Sequence, residues 1–239
     1  MLQHVNPEEV LFLDIETVPQ CASFNELEAG AQTLWEEKSK FTREKRGLEL
    51  AESYGEAGIY AEFGKIICIS AGYFSTKHGE RNFRVSSFFG HDERLLLQEF
   101  AEMLNRCHNQ PFRLLCAHNG KEFDFPYICR RMIVNGIPLP VMLDLAGKKP
   151  WEIPHLDTME LWKFGDYKHY TSLKLLAHIF GIPTPKDDID GSQVRGVYYD
   201  EQNLDRIETY CKKDVVTIAR VFMRYRGEEV LTEDEVMST

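Results

Sequence analysis

Short apolar runs alternate with longer amphipathic stretches along this chain. Val10-Leu-Phe-Leu-Asp-Ile-Glu-Thr17 is an apolar run of strand length, and its flanks suit a buried strand. From about Pro19 to Phe63 the chain turns charged and rich in Ala, Glu and Lys, with Leu34, Trp35, Phe41 and Leu48 interspersed. That pattern predicts one or two amphipathic helices. Lys65–Phe74 and Arg81–Phe89 are β-rich and predict a hairpin through Ser-Thr-Lys-His-Gly-Glu. Asp92 is placed to cap a helix in which Leu95, Leu96, Phe100, Met103, Leu104 and Cys107 keep helical spacing. Phe112–Ala117 predicts another strand, and Asp124–Gly136 a helix with an early proline and a terminal glycine. His155-Leu-Asp-Thr-Met predicts a further short strand, Thr171–Phe180 a helix ended by Gly181 and Pro183, and Asn203–Arg226 the last long helix.

This order predicts an α/β fold, a mixed five-stranded sheet flanked by helices on both faces. Residues 1–239 read as a single domain with a helical insertion at about 19–63 and an acidic tail at about 227–239 that is expected to fray. With 43% hydrophobic and 28% charged residues, the chain has the composition of an ordinary globular protein. Neither a membrane-length apolar run nor a basic-then-apolar leader is visible, so no membrane partner is expected. Cys21, Cys68, Cys107, Cys116, Cys129 and Cys211 show no CxxC pairing and lie mostly in apolar stretches; reduced thiols and a cytoplasmic location are expected.

A net charge of −10 lacks the basic excess of a dedicated nucleic-acid binder. Taken alone it speaks for solubility; an acidic site that binds cations first and phosphate second is the functional alternative. The eight histidines are scattered, with no HExxH helix and no G-x-S-x-G elbow, which argues against zinc and nucleophilic-serine chemistry. Gly58 and Gly64-Lys65 are spaced one residue too far apart for a phosphate loop, and no Ser or Thr follows the lysine.

The chemistry lies in acids at positions that should be apolar. Asp14 and Glu16 are two apart on a strand and so share a face, with Leu11, Leu13 and Ile15 on the other. Two like charges there need a divalent cation or an exit into solvent, and the triplet alone favours the solvent. In the last helix the stripe Leu204, Ile207, Cys211, Ile218, Phe222, Tyr225 has one slot filled by Asp214, which needs a strong partner. Tyr210 lies one turn before it, where a packing role is the ordinary one. Asp124 opens a helix, the position of an N-cap, yet also beside a strand end where clefts open. Asn119 sits in the turn before it.

Together these segments resemble the three motifs of the DEDD exonuclease superfamily. Asp14-Ile-Glu16 is similar to the first. His118-Asn119-Gly-Lys-Glu-Phe123-Asp124 resembles the second, in the N-x-x-x-F-D form of B-family polymerase proofreading domains. Tyr210-Cys-Lys-Lys-Asp214 resembles the third in its Tyr-x-x-x-Asp (DEDDy) form; Thr209 stands five before Asp214, so the histidine-type third motif is absent. Thr171–Ala177 and Asp188–Val194 resemble a stand-alone bacterial group described as predicted polymerase-B-like 3′-5′ exonucleases. The similarity runs from Leu11 to about Arg226; no polymerase domain is expected to follow, and proofreading is not implied.

The resemblance implies an RNase H-like fold and a metal-dependent 3′-5′ exonuclease, with DNA favoured, that releases nucleoside monophosphates from single-stranded 3′ ends. It implies two divalent cations, Mg2+ or Mn2+, one held by Asp14, Glu16 and Asp214 and the other by Asp14 and Asp124. Tyr210 would orient the attacking water, and Asn119, Phe123 and Thr17 are candidate substrate contacts, Phe123 being equally a core residue. Lys121, Arg130, Arg131, Lys163, Lys168 and Lys174 are candidate strand contacts; Asp157 reads as structural and Asp190 stays open. The alternative is a nucleic-acid-binding module of the same fold with weak or no catalysis. An interaction protein holding a structural metal is a third reading.

Overall fold

The computed structural model describes residues 1–77, 79–106, 112–166, 170–183 and 189–238; Cys107, Lys168 and Asp188 lie outside them. In chain order the elements are β1 (Val10–Pro19), α1 (Ala29–Arg46), α2 (Leu50–Tyr54), β2 (Gly64–Lys77), β3 (Glu80–Phe89), α3 (Glu93–Arg106) and β4 (Leu114–Ala117). There follow α4 (Asp124–Val134), β5 (Leu156–Asp157), α5 (Thr158–Lys163), α6 (Leu173–Ile179), α7 (Val194–Tyr199), α8 (Leu204–Arg226) and β6 (Val236–Ser238). The sheet has six strands in the order β5-β4-β1-β2-β3-β6. The β1–β2 and β2–β3 pairs are antiparallel, and the β1–β4, β4–β5 and β3–β6 pairs parallel.

β1 lies inside the sheet, and its side chains divide by parity because successive residues face opposite ways. Leu11, Leu13 and Ile15 enter one core with α3 and α4. Val10 and Phe12 enter the other with α6 and α8. Phe12 meets Phe74, Phe83 and Phe222 edge-to-face, with ring centroids 5.5, 5.7 and 5.2 Å away. Side-chain caps and a glycine start and stop the helices, the Asp92 cap as expected. The Asp92 carboxylate accepts the Leu95 N–H at 3.1 Å, and the Asn203 side chain accepts the Arg206 N–H at 3.1 Å. Gly227 ends α8 at φ 73, a left-handed conformation that favours glycine.

The stretch expected to be helical carries α1 and α2 around a small core of its own, where Trp35 meets Tyr54, Ala57, Phe63 and Leu27. It is tied to the sheet at its end. The Tyr127 hydroxyl donates to the Gly58 carbonyl at 2.7 Å, and a side-chain carbon on Gly64 would collide with both. Arg195 donates to the Ala22 carbonyl and Tyr199 to that of Pro19, so α7 fastens the other side.

Two expectations need correcting. The sheet has six strands rather than five, and the sixth lies in the tail expected to fray. Glu233–Glu235 form a 3-10 turn and Val236–Ser238 run along β3. Arg81 holds the Glu235 carboxylate at 2.8 and 3.0 Å, and Arg220 holds Glu233 at 2.7 Å. Acids that read as a solvated tail are therefore ion-pair partners. β2 and β3 are also longer than expected, pairing through to Lys77 and Glu80.

Arg131, expected as a strand contact, is instead 5% exposed and locked to Glu93 at 2.6 and 2.9 Å. It also donates to the Ala61 carbonyl at 2.8 Å, while Glu93 accepts Ile66 N–H at 2.7 Å and Asn135 at 2.9 Å. This buried pair joins α3, α4, β2 and the insertion. Removing one partner strands the other charge, so Arg131→Ala is expected to lower unfolding free energy by about 3–5 kcal/mol in urea denaturation. A loss below about 1 kcal/mol would place the pair in the surface class.

Candidate active site

The site forms where the end of β1, the turn after β4, and α8 converge. Asp14 and Glu16 share the face of β1 that packs toward α8, one half-buried and the other 7% exposed. The β1–β2 register shifts between Glu16 and Thr17, which bends the strand away just after the second acid. α8 presents Tyr210, Cys211 and Asp214 to them; the Tyr210 hydroxyl donates to the Asp214 carboxylate.

Asp124 is the first residue of α4, 3% exposed, and its side chain caps no helix end. It faces the backbone N–H of Ile15 instead. The turn ahead of it holds Asn119 at φ 64. That conformation is fixed by Asp157, whose carboxylate accepts the N–H groups of Asn119 at 3.0 Å, Lys121 at 3.1 Å, Met159 at 2.9 Å and Glu160 at 3.2 Å. His118 bridges outward, its Nε2 donating to the Thr171 carbonyl at 2.9 Å and its Nδ1 meeting Thr158 Oγ1 at 2.9 Å.

Electrostatics set this cluster apart from a set of surface acids. Burial pushes the Asp14 carboxyl well above the usual range, and Glu16, Asp214 and Asp124 push it further. Glu16 is raised by burial, then by Asp214, Cys68 and Asp124. Asp124 is raised to about 7, first by burial, with its own N–H and that of Ile15 opposing. Burial first, then Asp214, Glu16 and Asp14, drive the Tyr210 phenol far upward, so it stays neutral. Among the described residues no lysine or arginine pairs with Asp14, Glu16 or Asp124. A buried like-charge cluster of this kind calls for protons or cations.

Asp14, Glu16 and Cys211 each bring one donor atom within 4.8 Å of the others, an arrangement that can hold a metal ion. Cys211 was not anticipated at the site; it reads in sequence as one more stripe residue, and only its place beside Tyr210 could have flagged it. Its sulfur lies 3.5 Å from the Asp14 carboxylate and 3.4 Å from the Asp14 carbonyl, as a weak donor to both.

One cavity of about 1210 Å³ is lined by Asp14, Glu16, Thr17, Asn119, Phe123, Asp124, Tyr210 and Asp214, and so gathers every candidate site residue. Among the described residues, Asn119 Oδ1 finds no hydrogen-bond partner there, although it is buried. The candidate strand contacts fare differently. Lys174 lines the cavity. Lys121 pairs with Glu160 at 2.7 Å, Lys163 with Glu122 at 3.8 Å, and Arg130 is exposed. Asp190 also lines the cavity, with its carboxylate turned onto Ser192 at 2.6 and 2.9 Å. Ile59, Tyr170 and Arg195 also line the cavity and carried no motif in the sequence.

No curated protein matches the chain. Among solved structures, it is similar to a family B DNA polymerase from the hyperthermophilic archaeon Pyrobaculum calidifontis, with a TM-score of 0.55 and 15% identity. The likeness covers 92% of this chain and 24% of the polymerase, so the chain spans about a quarter of that protein's length. It shows the fold, the RNase H-like α/β architecture that the motifs implied. A family model described as a predicted 3′-5′ exonuclease related to the exonuclease domain of PolB matches residues 59–237, most of the chain. The chain belongs to that family of predicted PolB-related 3′-5′ exonucleases.

Proposed function

We propose that this protein is a divalent-metal-dependent 3′-5′ exonuclease of the DEDDy type that removes nucleoside monophosphates from single-stranded 3′ ends. The observation that carries this reading is the convergence of Asp14, Glu16, Asp124, Tyr210 and Asp214, from three distant segments, on one cavity in which the acids raise one another's pKa. The family supports the reaction. DNA is favoured as substrate because both the family description and the similar structure concern DNA polymerases.

The donor set fits Mg2+ or Mn2+: carboxylate oxygens, partly buried and without cationic partners on three of the four acids. Asp14, Glu16 and Asp214 would hold one ion, and Asp14 with Asp124 the second. Bound there, the two cations would polarise the scissile phosphate and make water acidic enough to attack at neutral pH. Tyr210 stays protonated and directs its hydroxyl into the acid cluster, where it holds the attacking water in line. Asn119, Phe123 and Thr17 line the same cavity and would meet the terminal nucleotide.

Asp14→Ala and Asp214→Ala are each expected to abolish release of mononucleotides from a 3′-labelled strand while leaving the circular-dichroism spectrum intact; retained nuclease activity in a purified variant removes that residue from the mechanism. Tyr210→Phe is expected to slow turnover by up to about 100-fold without loss of metal binding. Unfolding of that variant would assign Tyr210 to packing.

The raised acids also fix a sign. The unfolded carboxylates titrate near about 4, and Asp124 in the folded chain near about 7. Between those values the folded state holds more protons, so its stability falls as pH rises through the window. Asp14 and Glu16 shift the same way. In a chelator the melting temperature is therefore expected to drop between about pH 5 and pH 8. Mg2+ or Mn2+ should recover it, more at the higher pH; no metal-dependent rise at pH 8 would rule out the acid cluster as the cation site.

A further inference from the structure

Six acidic side chains line the cavity against one lysine and one arginine. Such walls repel a phosphate backbone, so cations at the acids cannot be the whole source of affinity for a strand end. Further contacts are left to the uncharged parts of a nucleotide, its sugar and its base, and the base offers the larger apolar face.

Two side chains are built for that contact. Among the described residues, Ile59 and Tyr170 are the only large hydrophobic side chains that are both exposed, at 57% and 67%, and part of the cavity wall. A single exposed isoleucine or tyrosine is ordinary. These two, however, are held by separate elements, each anchored to a strand that flanks the acids. Ile59 ends the 3-10 turn Ala57–Ile59, where the Gly58 carbonyl takes the Tyr127 hydroxyl at 2.7 Å. Gly58 itself lies against the Val18 backbone, so closely that a side-chain carbon would sit 3.0 Å from it. That fixes Ile59 relative to β1. Tyr170 precedes Thr171, whose carbonyl accepts the His118 Nε2–H at 2.9 Å, which fixes it relative to the end of β4. Tyr170 lines the same cavity as Asp124, and burial, then the charges of Asp124, Asp157 and Glu122, raise its phenol. Among the described residues the Tyr170 side chain makes no hydrogen bond or ring contact, and it is 67% exposed.

We propose that Ile59 and Tyr170 grip the 3′-terminal base of the substrate strand, Tyr170 by stacking and Ile59 by apolar contact. This assignment rests on the exonuclease reading and makes them specificity-determining residues for it. Stacking on an aromatic ring tolerates every base, so the grip selects for the presence of a base and for an unpaired end rather than for sequence. It also gives the insertion, which supplies Ile59, a part in substrate choice.

The test compares the wild-type protein with Ile59→Ala, Tyr170→Ala and Tyr170→Phe, all at exposed positions. Hydrolysis in Mn2+ is measured on a single-stranded oligonucleotide with a normal 3′ end and on one whose last nucleotide is abasic. Binding is read separately, in Ca2+, from quenching of 2-aminopurine placed at the 3′ end. Each alanine variant is expected to raise KM on the normal end about tenfold with kcat within about twofold. The alanine variants should weaken the quench and act on the abasic end as the wild type does, and Tyr170→Phe should behave as wild type throughout. Unchanged KM and quench in both alanine variants, or equal losses on normal and abasic ends, overturn the grip. Failure of the exonuclease reading looks different: 2-aminopurine is quenched through Ile59 and Tyr170, but no mononucleotide is released in Mg2+ or Mn2+. That outcome leaves the grip standing.

Discussion

The structure turns on the repulsion among acids held at the end of β1. Asp14 and Glu16 sit on an inner strand with a core against each face, which holds them close to each other and to Asp124 and Asp214. Burial raises the free energy of each negative charge, and the neighbours raise it further. Only a framework whose stability comes from elsewhere can keep such a cluster assembled. The two apolar layers beneath and above β1 supply it, with Phe12 at the centre of an aromatic cluster two residues before Asp14.

The walls of the cleft depend on a second set of buried polar contacts. Asp157 collects four backbone N–H groups and thereby sets the turn that carries Asn119. The Glu93–Arg131 pair and the Tyr127–Gly58 hydrogen bond fasten the insertion to α4 and β2. None of these residues needs to touch a substrate. They hold backbone that would otherwise be loop, and the cavity has its shape because of them.

Much of this was legible in the sequence. An acid filling a slot in the apolar stripe of α8 marked Asp214, and strand alternation put Asp14 and Glu16 on one face; both follow from periodicity alone. The hairpin, the Asp92 cap and the Gly181 stop follow from local chemistry. What escaped has a common physical character. β6 is three residues long, too short for alternation to show, and it is anchored through Glu235 by Arg81, far away in the chain. Arg131 reads as a surface cation until Glu93, 38 residues earlier, is seen beside it. Cys211 reads only as a stripe residue and Ile59 and Tyr170 carry no pattern, because their relation to the acids exists only once distant segments meet. Ligands and walls of a cleft are long-range facts; periods of two and 3.6 report only short-range ones.

The tail strand has a consequence for how the molecule meets its neighbours. Without β6, the ten-residue β3 would present its outer row of N–H and C=O groups to solvent, an open template for pairing with another chain. Three residues, Val236–Ser238, cover part of that row, anchored through Glu235. A handful of acidic residues beyond the last helix therefore works as a guard against sheet-to-sheet aggregation, and changes made near this terminus bear on colloidal behaviour as well as on folding.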